Sequence, residues 1–305
     1  FASAMAGAKL VLPGPDLSPE ALVRHIQSEN VTFSAGVPTI WLSVVQHLQA
    51  TNQQVPSLRR LAVGGSAAPR SLMDTLEDDY GVFVSHVWGM TEMTQGSAGR
   101  FTNRVQELPR DEQRRRQAMA GRELYGVELR LVDDKGEDVP RDGTTPGELL
   151  ARGPWVAGAY FDLKDDSTHI ADSEGTWLRT GDVATMDSEG YISIVDRAKD
   201  VIKSGGEWIS SIELENAAVG FEKVSEAAAV GLPHDRWGER PLLFVVLEGN
   251  QELNKDEILE AMRPHVASWC LPDDILAIDE IPHTGTGKID KKLLRERFSN
   301  HKWST

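Results

Sequence analysis

Five short segments of this chain hold residue types that can do chemistry together. Pro282-His283-Thr284-Gly285-Thr286-Gly287-Lys288-Ile289 holds a lysine out on a Gly/Thr loop, where it is available to an anion. It is not the phosphate-binding loop G-x-x-x-x-G-K-[ST]: Pro282 stands where the first glycine belongs, and Ile289 where the hydroxyl belongs. Trp88-Gly89-Met90-Thr91-Glu92 puts an aromatic ring, a glycine, a hydroxyl and a carboxylate side by side. The ring can stack on a base, the hydroxyl can bind a phosphate oxygen, and the carboxylate can hold Mg2+. A helix cap made by Thr91 and Glu92 is the plain alternative. Trp177-Leu178-Arg179-Thr180-Gly181-Asp182 ends at a predicted turn on a carboxylate able to accept both ribose hydroxyls, or on an ordinary Gly-Asp turn.

In the fourth segment, Asp196 to Ile209, the cations Arg197, Lys199 and Lys203 lead into Gly205-Gly206 at a predicted domain junction. Such a junction fits a hinge, and a charged hairpin is the alternative. The fifth, Val63-Gly64-Gly65-Ser66-Ala67-Ala68-Pro69, places glycines at the carboxyl end of a predicted strand, where α/β sheets bind ligands. A tight turn explains it equally.

The elements that must position these residues change character along the chain. Strands are expected at Lys9–Leu12, Val31–Ala35, Leu58–Val63 and Val82–His86. Helices are expected from Ser18-Pro19 onward, with Leu22, Val23 and Ile26 on one face, and at Thr39–Leu48 and Ser71–Glu77. This alternation predicts a sheet with helices on its faces. From about Arg122, short strands at Val127–Val132, Glu148–Arg152, Val183–Met186 and Tyr191–Val195, with turns such as Asp133-Asp134-Lys135-Gly136 between them, predict an antiparallel subdomain. After Asp196, helices at Ser211–Val219 and Asp256–Met262 and strands at Ala227–Val230 and Leu242–Val246 predict a small α+β domain. The run Arg114-Arg115-Arg116, set among acidic residues, is expected on a solvated helix face.

Composition limits the function classes. The 305 residues carry 32 Lys+Arg against 47 Asp+Glu, a formal net charge of −15, which argues against a broad nucleic-acid footprint. One cysteine, Cys270, cannot close an internal disulfide, so a cytoplasmic setting is expected. No stretch approaches the roughly 18–20 apolar residues of a membrane span, and the apolar opening Phe1 to Leu12 carries Lys9, unlike a signal peptide. The eight histidines include no H-E-x-x-H pair and none at ligand spacing from Cys270, which argues against zinc.

Taken together and in this order, the five segments resemble the adenylate-forming acyl-CoA synthetases, specifically the fatty-acyl-CoA branch, over essentially all 305 residues. Lys203-Ser204-Gly205-Gly206-Glu207-Trp208-Ile209-Ser210 in particular looks like the fatty-acid ligases. The resemblance implies an α/β fold: part of the large adenylate-forming domain, followed by a small mobile α+β domain. The expected divisions are an α/β subdomain over 1–121, a small β-barrel-like subdomain over 122–196 and the mobile domain over 197–305.

The same resemblance implies ATP, Mg2+ and CoA, and a role for each residue. Lys288 would bridge the carboxylate and the α-phosphate, Glu92 would ligate Mg2+, and Thr91 would contact phosphate. Gly65, His86, Val87 and Trp88 would line the adenine site, and Asp182, assisted by Arg197, would hold the ribose. Lys199 would be the hinge, Lys203 and Trp208 would face the nucleotide on closure, and Gly205 and Gly206 would border the CoA channel. Trp88 replaces the usual tyrosine, and His86-Val87 the usual Gln-Gly. The family's phosphate loop and His-containing acyl segment do not occur, so the chain is expected to be the C-terminal portion of a longer enzyme, possible as a homodimer. A ligase for short-chain, sulfur-containing or aromatic acids is the near alternative; a non-catalytic nucleotide-binding remnant is the distant one.

Overall fold

A computed structural model describes the whole chain except residues 1, 66–67, 134, 163–166, 174, 250–251, 285–287 and 304–305. After helix α1 (Ala2–Met5), an α/β layer begins with α2 (Pro19–Glu29). Ser18 caps α2 by accepting the Ala21 N–H, Pro19 supplies a preset first turn, and Asn30 ends it in a left-handed conformation. Its buried face is Ala21, Val23 and Ile26, with Leu22 at the edge of the same core. Strands β1 (Phe33–Gly36), β2 (Arg60–Gly64) and β3 (Phe83–Trp88) pair in parallel, with helices α3 (Pro38–Thr51) and α4 (Arg70–Tyr80) between them. Trp41, Val44, Leu48, Leu61, Val63, Leu72, Leu76 and Val84 close the core between sheet and helices. Each fully buried side chain of this size contributes about 1.5–3 kcal/mol.

The expected strand at Lys9–Leu12 does not form. Leu10 and Leu12 are 64% and 76% exposed, so the face they would share in a strand buries little. Short strands β4 (Ser97–Ala98) and β5 (Arg122–Glu123) extend the first sheet antiparallel beyond β3, with helices α5 (Asn103–Gln106) and α6 (Arg110–Ala118) between them. The arginine run lies on α6 but is not simply solvated. Arg114 pairs with Asp74 and Asp78 of α4, while Arg116 pairs with Glu112 and lies over the Tyr191 ring. Both are more than four-fifths buried and fasten α6 to its neighbours; only Arg115 stays half exposed.

The second sheet is antiparallel. Its strands are β6 (Glu128–Val132), β7 (Gly147–Arg152), β8 (His169–Asp172), β9 (Gly175–Met186) and β10 (Ile192–Arg197), ordered β10-β9-β7-β6 with β8 also on β9. Trp88 and Met93 share a core with its Leu129, Leu149, Leu178 and Ile192, so the end of β3 is sealed onto this sheet.

The third sheet is ordered β12-β11-β14-β13, from β11 (Ile202–Ser204), β12 (Glu207–Ile209), β13 (Val224–His234) and β14 (Gly238–Leu247). β15 (Asp274–Ala277) pairs with β14 in parallel. Helices α7 (Ser211–Val219) and α8 (Lys255–Met262) share one of its cores, and α9 (Lys291–Arg297) places Leu294 in another. A buried polar network ties α7 and α9 to the end of β10. Asp196 Oδ2 accepts the Ser211 N–H at 2.7 Å and hydroxyl at 2.5 Å, and Lys291 reaches the Ser211 hydroxyl at 2.5 Å and Glu215 at 2.8 Å.

Candidate active site

The site is organised around a bulge in β9. Between the pairs Leu150–Arg179 and Glu148–Val183 the strand carries extra residues, and Gly181 takes φ +72° within them. A bulge bends its strand and re-aims a side chain. Thr180 fixes this one: its hydroxyl donates to the Leu149 carbonyl at 2.7 Å and accepts the Asp182 N–H at 3.1 Å. Asp182 is thus not in a terminal turn, as the Gly-Asp pattern suggested, but inside a twelve-residue strand, 4% exposed.

An ion pair and a hydrogen bond hold its carboxylate. Arg197, at the end of β10 and opposite Asp182 in the ladder, reaches Oδ1 with Nε at 2.7 Å. Trp88, the last residue of β3, donates its indole Nε1–H to Oδ2 at 2.7 Å. Burial pushes the Asp182 carboxyl up, and the nearby Asp196 adds to this. Arg197, the Trp88 bond and the Lys288 charge pull it down, and the net position lies above the ordinary value.

Beyond Trp88 the chain turns sharply. Gly89 is required there, because a Cβ would stand 2.5 Å from the Thr94 carbonyl oxygen. Thr91 and Glu92 lie in this turn, Thr91 exposed and Glu92 half-buried. They do not cap a helix; the next helix starts at Asn103. The Glu92 carbonyl accepts the Ala157 N–H at 2.7 Å, and its Oε1 accepts the Tyr160 hydroxyl at 2.6 Å, which pushes the Tyr160 phenol up to about 12. No sequence signal marked Tyr160, because its partner lies in another sheet's turn. Among the described residues no three His, Cys, Asp or Glu side chains gather as a metal cage. A lone carboxylate fits Mg2+, which keeps waters and substrate phosphates as its other ligands.

Lys288 is exposed, just after the undescribed Gly285, Thr286 and Gly287. Its hairpin is closed by the His283–Ile289 bridge and the Thr284 N–H bond to the Lys288 carbonyl at 2.7 Å. Ile281 and Ile289 root it in the third sheet's core, and His283 meets Glu226 at 2.8 Å. The Lys288 charge is among those that lower the Asp182 carboxyl.

Other expected residues sit as follows. Lys199 is exposed in the turn after β10. Gly205 and Gly206, at φ +61° and +89°, are the two-residue turn joining β11 to β12, so the charged-hairpin alternative describes them. Two successive positive φ values are what such a tight hairpin demands. Lys203 and Trp208 face each other across that hairpin, Nζ 6.0 Å from the ring centroid. Gly65 (φ +87°) is exposed at the end of β2, with Ser66 and Ala67 outside the described residues. His86 turns its buried ring to the Ala118 carbonyl at 2.9 Å, and Val87 lies against Gly64, where a Cβ would meet the Val87 oxygen at 2.5 Å.

Known proteins are similar to this chain over most of its length. Residues 1–161 match the model for the AMP-binding enzyme, and residues 213–288 that for the AMP-binding enzyme C-terminal domain. The chain is 45% identical to a 3-methylmercaptopropionyl-CoA ligase of Ruegeria lacuscaerulensis, over 98% of this chain and 55% of that one. It is 43% identical to a long-chain-fatty-acid–CoA ligase of Thermus thermophilus, over 99% and 56%. Among solved structures, o-succinylbenzoate CoA synthetase of Bacillus subtilis in complex with the acyl-adenylate intermediate OSB-AMP superimposes with a TM-score of 0.80 at 26% identity, over 99% of this chain and 58% of that one. The chain spans about half the length of the curated relatives it matches.

Proposed function

The chain belongs to the AMP-binding enzyme family, and we propose that it carries the ribose-binding and lysine-bearing parts of an acyl-CoA synthetase. The reaction is conversion of a carboxylic acid to its CoA thioester through acyl-AMP, with ATP going to AMP and pyrophosphate. The observation that carries this reading is the buried Asp182 carboxylate, held by Arg197 from the neighbouring strand of its own sheet and by Trp88 from the end of the first sheet, with the Lys288 charge from the last loop among those acting on it.

In the first half-reaction a carboxylate oxygen attacks the α-phosphorus and the bond to pyrophosphate breaks. Both reactants are anionic, so positive charge and alignment matter more than a covalent helper. Lys288 supplies that charge between carboxylate and α-phosphate. Asp182 and Arg197 hold the ribose, Gly65, His86, Val87 and Trp88 border the adenine, and Thr91 meets phosphate. Glu92 would hold Mg2+, whose contribution is to neutralise phosphate charge. In the second half-reaction the CoA sulfur attacks the acyl carbon and AMP leaves. Lys288 must withdraw to admit the thiol, so the lobe after Arg197 pivots at Lys199 and presents the Gly205-Gly206 turn. An added Cβ on Gly206 meets nothing within 4 Å, which suits a residue facing an open channel. Lys203 and Trp208 approach the nucleotide as this lobe closes.

The acid is a fatty acid, by likeness to the Thermus thermophilus enzyme. A sulfur-containing acid is the second reading, favoured by the 45% identity to the 3-methylmercaptopropionyl-CoA ligase. A cytoplasmic location, where ATP and CoA are at hand, and a homodimer belong to the same proposal. Pyrophosphate release by the full-length protein, assayed over a panel of carboxylic acids, tests it. Release with fatty or methylthio acids supports the reading, whereas ATP binding without release from any acid would mark a non-catalytic remnant.

A further inference from the structure

Among the described residues the Asp182 carboxylate, with about four lone-pair sites, accepts a side-chain hydrogen bond from Trp88 on Oδ2 and pairs through Oδ1 with the Arg197 guanidinium. That leaves an acceptor site on each oxygen for a ribose diol. The two donors that fix this arrangement differ in character. The Arg197 side chain is 43% exposed, so solvent and salt screen its grip. Trp88 is 8% exposed and its bond to Asp182 is buried.

The indole is also held in place by its surroundings. A Cβ on Gly96 would lie 2.3 Å from Trp88 Cζ3 and 2.7 Å from Cε3, so the benzo ring rests directly on the Gly96 backbone. The Gly96 N–H donates to the Trp88 carbonyl at 2.9 Å, and Met93 packs in the same core. A ring seated this way cannot swing its N–H off Asp182 without displacing main chain. An indole carries its donor on the flank of the ring, whereas a phenol carries it at the far tip, so the position of this bond is specific to tryptophan.

We infer that Trp88 is a positioning residue for ribose recognition: its indole N–H holds the Asp182 carboxylate in the orientation that leaves one acceptor on each oxygen for a ribose hydroxyl. The role goes beyond an aromatic face for adenine, and it rests on the nucleotide reading above. Loss of the N–H would leave a buried carboxylate oxygen short of a donor and free the group to rotate. Burial already opposes ionisation of Asp182, and the lost bond would add to that.

The test is calorimetric binding of ATP and of 2′,3′-dideoxy-ATP, without acid substrate, to the full-length protein and two variants. One is Trp88→Phe; the other carries benzothienylalanine at position 88, in which sulfur replaces the N–H and the ring shape is retained. The expected result with benzothienylalanine is ATP binding about tenfold weaker with dideoxy-ATP much less affected; Trp88→Phe, which also changes the ring that borders the adenine, should weaken ATP by a larger factor than dideoxy-ATP, because only the diol reads the carboxylate. A purely structural role would weaken both nucleotides by the same factor, and that result, or unchanged ATP binding in the benzothienyl protein, overturns the inference. Benzothienylalanine keeps the packing on Gly96, so it decides the matter where phenylalanine disturbs the core. Unaltered protein that binds neither nucleotide refutes the nucleotide reading itself, and the positioning role with it.

Discussion

The charge of Lys288 favours the ionised carboxylate of Asp182, although one residue stands on the hairpin before α9 and the other in the β9 bulge. The lobe that carries Lys288 is held to the end of β10 in this arrangement by Asp196, Ser211 and Lys291. Under the proposed function, this lobe carries the cation of the first half-reaction and the β9 bulge carries the ribose carboxylate.

Nucleotide affinity should depend on the ionisation of Asp182. Its carboxyl lies above the ordinary aspartate value because burial outweighs the favourable charges. A raised carboxyl is protonated first as pH falls, so ATP binding should weaken on the acid side at a higher pH than an exposed aspartate would give. Calorimetry across pH should show that limb in the unaltered protein. Asp182→Asn should bind about tenfold or more weakly and lack the limb.

Tyr160→Phe removes the hydroxyl that holds Glu92 Oε1 at 2.6 Å. A carboxylate free to turn is a poorer ligand for a geometry-demanding ion. Affinity for Mg-ATP should fall about threefold to tenfold on losing this one positioning hydrogen bond. Binding of ATP in EDTA should be unchanged, which calorimetry in the two buffers checks.

Gly121 sits where sheet one meets β10, its carbonyl accepting the Ile192 N–H at 2.8 Å. It has φ +81°, and a Cβ there would lie 1.9 Å from the Ala98 carbonyl carbon. Gly121→Ala therefore combines strain with a main-chain clash, for a cost of about 3 kcal/mol or more. Denaturant unfolding measures it.

Lys291→Met should destabilise by about 3 kcal/mol, because it leaves Glu215 buried without its partner at 2.8 Å. Burial raises the Glu215 carboxyl even with the lysine present. A carboxyl raised in the folded state contributes its stability below the unfolded value and loses it as pH rises through the folded one. The variant should thus lose more at neutral pH than at acid pH, a difference that urea melts at both would reveal.

What the sequence carried was local chemistry. The Ser18-Pro19 start of α2 and the exact span of α7, Ser211–Val219, follow from caps and apolar spacing. Lys9–Leu12 misled because Leu10 and Leu12 face solvent, which packing decides and the letters do not. The long strand β9 was legible only in its last four residues, because the bulge at Gly181 breaks the alternation that marks a strand. Asp182 and Lys288 were singled out by motif, but the bonds from Trp88 to Asp182 and Tyr160 to Glu92 join distant segments that no spacing rule connects.

The most direct measurement is to separate the two half-reactions in Lys288→Ala of the full-length protein. Acyl-AMP formation, followed by pyrophosphate release, should drop by about 100-fold or more, the scale expected when a preorganised transition-state charge is lost. Thioester formation from supplied acyl-AMP and CoA should stay within a few-fold of the unaltered rate. Equal losses in both halves would contradict a cation that arrives for the first step and leaves before the second.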